Sequence, residues 1–461
     1  MKTKLYLFAL LAVMLGACGC EHPTPVEKPD PQDTTEVVTE PADLSLIKQS
    51  VPVTDNWIWS GKPQITVHIE NPNKAAVKLG VKLKLTTDTK QAVTEVIDSV
   101  TVAGNGSVDH IMTTPENLAP GFYRAVCFVN GKSARSFVFG IDPFDIVSAP
   151  DMQPDFNEFW QAAKDQLAEV EMNAVLTEIE SRSSATRKVY LVEMKSVPDG
   201  LSGEPVTIRG YYLEPQDGAQ HPVIMHFYGY DTQGTKSKVD CPYGGNSNYA
   251  EFYLSHRGQY LNNRPAGTNP GVEEATVNIY GDWFAYHFGD KNSYYYRGAF
   301  MDCVQAVRFM ATRSTSNMNK LFAEGSSQGG ALSYACAALS DYPFTAIAPN
   351  VAFLGDCPDY FKIVSWPAET AKANKGSMTD EEMYAFLSYF DTKNLATRIS
   401  AAVLASSGLQ DGTCPPHTNI APFNNLKTPK SEKEYIFAPE MQHDYPQGWT
   451  TKWNNFFKAR M

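Results

Sequence analysis

The chain has 461 residues, 43% of them hydrophobic and 20% charged, which is too long for one ordinary core and too apolar for a mostly disordered chain. A formal net charge of −12 argues against nucleic acid as a partner, because phosphate binding needs a net positive surface. Eight Cys at this length do not make a disulfide scaffold, and no apolar run of 18 residues follows the first twenty positions.

Those first positions, 1–20, form an export signal. Lys2 and Lys4 precede an apolar stretch from Leu5 to Ala17, too short to span a bilayer comfortably. The stretch ends in Leu15-Gly16-Ala17-Cys18, which resembles a bacterial lipobox, so Cys18 is the expected lipidation site. Gly19 after it points, by the same resemblance, to the outer membrane. A cell-envelope lipoprotein anchored through its lipid is therefore expected. Residues 21–43 follow as a tether with Pro23, Pro25, Pro29, Pro31 and Pro41, seven acids and one Lys. Such a segment cannot bury enough apolar surface to fold.

Residues 44–142 predict an all-β module of immunoglobulin-like sandwich type. Val77 to Leu85 alternates strictly between apolar and polar, the period of a half-buried strand, and Ile65 to Ile69 does the same. The β-rich runs Phe122 to Val129 and Phe137 to Ile141 are split by Asn130-Gly131, a hairpin signal. Trp57 and Trp59 are expected as packing aromatics. His68 and His110 lack metal-ligand spacing and are expected in solvent.

From residue 143 to 461 the pattern changes to α/β. Phe156, Phe159, Trp160, Ala163 and Leu167 recur at helical spacing up to Val170. Val189 to Met194 and Val206 to Leu213 read as an antiparallel start. Val223–Phe227, Phe252–Leu254, Leu321–Ala323, Phe344–Ala348, Ala402–Ala405 and Tyr435–Phe437 read as buried strands of a largely parallel sheet.

The chemistry concentrates at Gly325-Ser326-Ser327-Gln328-Gly329-Gly330. A strand runs into this G-x-S-x-G and a helix-prone segment, Ala331 to Leu339, leaves it, the setting of a nucleophile elbow. The tight turn needs neighbours without side chains, which Gly325 and Gly329 supply. Ser327 is the expected nucleophile, with Ser326 its nearest competitor. A serine hydroxyl needs a base, and elbow enzymes run Ser, acid, His along the chain. After Ser327 the chain holds His417 and His443 only. His443 hangs just past the strand ending at Phe437, where the base must sit, whereas His417 is expected as a surface or pocket residue. Asp411 directly follows the strand Ala402–Ala405 and is the expected acid; Asp356, Asp359 and Asp391 compete less well. The backbone N–H groups of Tyr230, in the loop after Val223–Phe227, and of Gln328 are the candidate oxyanion donors. His226 is expected as a satisfied core histidine. Cys303 and Cys336 are expected as core thiols.

Over about residues 150–461 the chain resembles the acetyl xylan esterase and cephalosporin C deacetylase family. The matching pieces are Asp155 to Trp160, Tyr228-Gly229-Tyr230, Arg257-Gly258-Gln259, Tyr294 to Gly298, Gly325 to Gly330, Gly408 to Asp411 with Pro415-Pro416, and His443. The Arg-Gly-Gln triplet and the Ser-Gln-Gly-Gly elbow together are specific to that family among elbow hydrolases. The resemblance implies an α/β-hydrolase fold, Ser327, Asp411 and His443 as the triad, Tyr230 and Gln328 as oxyanion donors, and structural roles near the site for Arg257 and Gln259. It also implies an acetylated carbohydrate as substrate. Asp444 stands where the family usually has Glu, and the N-terminal module and tether are additions, so the ring-like oligomer of compact members is not carried over. No cofactor and no metal are expected, since there is no Cys-x-x-Cys and no His-x-x-x-His. Another serine hydrolase on the same fold, such as a broad esterase, feruloyl esterase or peptidase, and a non-catalytic glycan-binding lipoprotein stay open as other classes.

Overall fold

In the computed structural model, residues 41–200, 202–233, 235–262 and 278–461 are described. The signal segment with Cys18, and the tether as far as residue 40, lie outside them. The N-terminal module consists of Lys48–Ser50 (β1), Ile58–Trp59 (β2), Thr66–Asn71 (β3), Val77–Thr87 (β4), Ala92–Val102 (β5), Gly106–Ile111 (β6), Gly121–Val129 (β7) and Lys132–Ile141 (β8). They form a three-stranded sheet, β1-β3-β6, and a five-stranded one, β2-β8-β7-β4-β5, consistent with a sandwich. The alternation read in the sequence is realised directly: Val77, Leu79, Val81, Leu83 and Leu85 are buried and the residues between them are not. The β7–β8 hairpin turns at Asn130 and Gly131, both with positive φ (45° and 77°), as a tight two-residue turn requires. Trp57 packs on Phe137 at 4.3 Å and Trp59 on Phe139 at 5.5 Å, so both are core aromatics.

One expectation here needs correction. His68 is accessible to solvent, as expected, its side chain 35% exposed and 2.6 Å from exposed Asp109, whereas His110 is mostly buried with its Nε2 3.3 Å from Asp98. Cross-strand pairing sets Asp109 opposite His68, and Asp98 reaches His110 from β5 of the other sheet, which the linear spacing does not show.

The second part is built on a nine-stranded sheet. Its strands are Val175–Glu178 (β9), Arg187–Pro198 (β10), Pro205–Pro215 (β11), His221–Phe227 (β12), Ala250–Ser255 (β14), Ser316–Ser326 (β16), Ala346–Asn350 (β17), Ala402–Gly408 (β18) and Lys433–Ala438 (β19); Val239–Asp240 (β13) and Leu261–Asn262 (β15) pair separately. The order is β19-β18-β17-β16-β12-β14-β11-β10-β9. From β19 to β14 every neighbour is parallel, and β11, β10 and β9 continue antiparallel. The reversal of β12 and β14, the antiparallel start and the elbow after β16 define an α/β-hydrolase fold. Helix α1, Phe156–Glu169, buries the five residues that its periodicity selects. Tyr295–Ala311 (α2) is buried on nearly every face. Gln328–Leu339 (α3) leaves the elbow, Pro416–Asn424 (α4) follows Asp411, and Trp449–Lys458 (α5) closes the chain on the sheet through Phe456 and Phe457. Strand β17 starts two residues later than the sequence suggests and runs on to Asn350, whose buried side chain has a task at the site. Cys303 and Cys336 are buried, as expected. Among the described residues, no helix is long and apolar enough to cross a membrane.

The sandwich docks on the hydrolase part within one compact unit, Asp43–Met461. Gln410 clamps the Val138 backbone, its Oε1 accepting from the N–H at 2.9 Å and its Nε2 donating to the carbonyl at 3.0 Å. Arg135 meets Glu440 at 2.7 Å, and Phe122 packs on Phe437. The sandwich therefore touches the two loops that carry Asp411 and His443.

Candidate active site

The elbow forms because the backbone crowds there. Ser327 has φ 59° and ψ −121°, a strained conformation for a residue with a side chain. A Cβ on Gly325 would stand 2.4 Å from the Gly329 carbonyl oxygen, and one on Gly329 would stand 2.3 Å from that of Phe227. Both positions therefore exclude every other residue. The turn is held by Ser327 N–H donating to Asn350 O at 2.9 Å and by Phe353 N–H donating to Ser327 O at 3.0 Å. Asn350 itself donates to Ser326 Oγ (2.8 Å) and to Asp444 O (3.1 Å), and accepts from Ser406 Oγ (2.6 Å). It joins the elbow, the acid strand and the His443 loop in one polar knot. That contact uses the Asp444 carbonyl, which any residue following His443 supplies.

Asp411 and His443 meet as the sequence order requires. His443 Nδ1 lies 2.8 Å from Asp411 Oδ2. The other carboxylate oxygen accepts from the N–H groups of Thr413 (2.7 Å) and Cys414 (2.9 Å), and the Asp411 side chain is fully buried while that of His443 is 29% exposed. A buried carboxylate fixed by two amides can orient an imidazole without moving itself. The strand β18 reaches the His443 loop so closely that a Cβ on Gly408 would stand 2.3 Å from Met441 O.

The other acids are engaged elsewhere. Asp391 accepts from the N–H groups of Asp356, Cys357 and Lys393. Asp356 holds Lys393 at 2.8 Å and His417 Nε2 at 3.1 Å. His417 is thus neither a surface nor a pocket residue. It is buried, its Nδ1 lies 3.3 Å from Asp88 of the sandwich, and it bridges the two parts of the chain. Burial alone would lower its pKa, but the bonds to Asp356 and Asp88 outweigh burial and push it up to about 10. Asp356, Asp359 and His417 bring ligand-type atoms within 4.8 Å of one another, yet an imidazolium flanked by Lys393 is an ion-pair partner and has no lone pair for a metal.

Behind Gln328 lies a network that the sequence did not signal. The Tyr296 hydroxyl donates to Gln328 Oε1 (2.9 Å), and Gln328 Nε2 lies 2.9 Å from His256 Nε2. Tyr295 donates its hydroxyl to Arg257 O (2.6 Å), so His256 Nδ1 donates to Tyr295 (3.0 Å) and Nε2 accepts from Gln328. Burial lowers the His256 pKa to about 4, which keeps this neutral tautomer. Arg257 pairs with buried Asp302 (2.8 Å) and bonds Val197 O, while Gln259 Nε2 bonds Ser237 O. A Cβ on Gly298 would stand 2.0 Å from Arg257 Nη1, so the Arg-Gly-Gln triplet and the Gly at the start of α2 are one packing unit. Tyr296 lies in one of the segments that carry the family resemblance, but no short-range pattern marks His256 or pairs either residue with Gln328, because their partners lie far along the chain.

Tyr230 sits in an aromatic cluster with Trp283 (5.1 Å), Trp366 (5.4 Å) and Phe353 (6.5 Å), and its hydroxyl donates to Asp282 at 2.6 Å. The Cys414 thiol is driven far above the ordinary thiol range by burial. His226 is buried, but only its Nδ1 is bonded, to Glu324 at 2.7 Å; its Nε2 is not, so it is not the fully satisfied core residue expected.

Comparison with known proteins identifies the family. The chain is 24% identical over 339 residues to acetyl esterase Axe7A of Xylanibacter ruminicola, covering 73% of each. The structure is similar to that of an acetyl xylan esterase from Paenibacillus sp. R4, with a TM-score of 0.55 and 26% identity, over 69% of this chain and 98% of that one. It also shares its fold with acetyl xylan esterase 1 from a Thermoanaerobacterium species, with a TM-score of 0.55 and 22% identity, over 68% of this chain and 96% of that one. The family model for acetyl xylan esterase matches residues 147–461, so the chain belongs to the acetyl xylan esterase family and is a carboxylic ester hydrolase of the carbohydrate esterase kind.

Proposed function

We propose that this enzyme removes O-acetyl groups from xylan-type polysaccharide or oligosaccharide through a serine acyl-enzyme. The observation that carries the proposal is the Asp411–His443 bond of 2.8 Å, tied through Asn350 to the strained elbow bearing Ser327. His443 takes the Ser327 proton as the oxygen attacks the acetyl carbonyl, and Asp411 holds the ring with Nδ1–H toward itself and Nε2 free for the proton. The N–H groups of Gln328 and Tyr230 receive the oxyanion, aided by the N-terminus of α3. The His256–Gln328–Tyr296 network keeps the Gln328 side chain fixed, and Arg257 and Gln259 brace the loop beneath. The protonated His443 returns its proton to the departing sugar oxygen, and water then releases acetate. The aromatic cluster around Tyr230 gives the acyl side room for a methyl and little more. Residues 44–142 and 143–461 act as a docked pair, and lipidation at Cys18, followed by the tether, holds the enzyme at the cell envelope, at the outer membrane.

Ser327→Ala should abolish release of acetate from acetylated xylan and from p-nitrophenyl acetate while circular dichroism is unchanged. A fluorophosphonate should label Ser327 in the wild type. Labelling at Ser326, or more than a few per cent of residual rate, would reject the nucleophile.

A further inference from the structure

A cavity of about 440 Å³ opens between the sheet and α5. It is walled on the elbow side by Tyr228, Gly229 and Ser326, and on the far side by Tyr445, two residues past His443, and by Trp449 and Trp453 of α5. It touches three segments of the catalytic machinery, yet the aromatic cluster around Tyr230 does not line it. Its floor is polar: His226 of β12, Glu251 of β14 and Glu324 of β16 meet there.

Two residues lining this cavity carry a buried donor with no hydrogen-bond acceptor among the described residues. One is His226 Nε2, which stands 3.8 Å from Glu251 Oε2, beyond bonding distance; the other is Trp449 Nε1. The two residues are 6% and 3% exposed. A buried donor without a partner is costly, and two on residues lining one cavity mark a place for a ligand with acceptors. Glu324 and Glu251 supply acceptors beside them, so the ligand must also donate. Hydroxyl groups do both. The charges decide between neutral and ionic ligands. His226 lies between the two carboxylates, and although burial lowers its pKa, the negative charges of Glu324 and Glu251 beside it raise it to about 9. Arg187 lies 3.2 Å from Glu251. Two anions and two cations compensate, which favours a neutral polyol over a cation or a uronate. The Tyr445 and Trp453 rings give the apolar surface on which a sugar ring stacks.

From this geometry we infer that the cavity is a second carbohydrate subsite, taking a neutral, unacetylated sugar of the same glycan next to the residue whose ester is cleaved. The inference rests on the esterase function proposed above and names where the substrate chain is held.

The test separates the two. Xylotetraose is titrated calorimetrically into the Ser327→Ala protein, alone and combined with Glu324→Gln or Thr450→Trp. Thr450 is an exposed position on α5 lining the cavity, so tryptophan there fills it without touching the buried polar groups and keeps the test valid if Glu324→Gln fails to fold. Binding of xylotetraose, weakened about tenfold by either change, is expected, the scale of one charge-assisted hydrogen bond or of a blocked ring. In the active enzyme the ratio of kcat/KM for acetylated xylotetraose to that for p-nitrophenyl acetate should fall by the same factor. Absence of xylotetraose binding, or equal losses on both esters, would overturn the subsite. An active enzyme that hydrolyses p-nitrophenyl acetate but no acetylated oligosaccharide would instead overturn the proposed substrate, and variant-sensitive binding of xylotetraose would still uphold the cavity's role.

Discussion

Gly408→Ala tests whether the distance between the acid strand and the base loop sets the rate. The added methyl carbon would stand 2.3 Å from Met441 O and 2.4 Å from Gln442 O, both backbone atoms of the segment leading directly into His443. An ordinary contact needs about 3.4 Å, so one of the two segments must retreat by roughly 1 Å. Neither can yield by rotating a side chain. Gln410 N–H donates to Met441 O at 3.0 Å and Leu409 N–H to Ala438 O at 3.0 Å, so the retreat strains the same ladder that sets the Asp411–His443 bond. A displacement of 1 Å in a positioned catalytic group costs on the order of 10²-fold in rate. Overpacking should also cost about 1–3 kcal/mol of stability, leaving a folded enzyme to assay. With p-nitrophenyl acetate, kcat should fall about 10²-fold while KM changes little, because the methyl lies behind the triad and not in the binding site. Gly412→Ala is the control: a Cβ there meets nothing within 4 Å, and its kcat should stay within about twofold of wild type. A Gly408→Ala enzyme within threefold of wild type would refute the claim that this approach fixes His443.

His443→Ala should lose roughly 10³-fold or more in kcat, whereas His417→Ala should chiefly lower stability; the reverse pattern would exchange their roles. Because the folded pKa of His417 is raised to about 10, its ion pairs stabilise the fold fully below about pH 6.5 and fade as pH rises towards 10. The melting temperature of the wild type should decline across that window, and His417→Gln should flatten the decline. The aromatic cluster at Tyr230 should make kcat/KM for p-nitrophenyl esters fall at least ~10-fold from acetate to butyrate, and a flat profile would favour a broader esterase. Expressed in a bacterial host, Cys18→Ala should move the protein from the detergent phase to the soluble fraction; equal partitioning would return residues 1–20 to an ordinary signal peptide.

Much of the site was legible in the chain itself, for local reasons. G-x-S-x-G between a strand and a helix, and acid and histidine each just past a later strand, are short-range patterns. A parallel sheet collects the ends of its strands on one edge, so residues that follow β16, β18 and β19 must converge once the sheet forms. The alternation in β4 and the helical spacing in α1 likewise select their buried faces without help from the rest of the chain. What the tertiary structure alone decided are contacts between side chains far apart in sequence. His417 reads as a surface or pocket residue because its partners, Asp88 and Asp356, belong to another module and another loop. His226 looked satisfied because a buried strand gives no hint of which acids face it. His256 and Asn350 carry no motif, since each is defined by a partner that only packing supplies. Periodicity reports which face a residue lies on; whether a polar group on that face finds a partner depends on the distances between elements, and these are set when the layers pack.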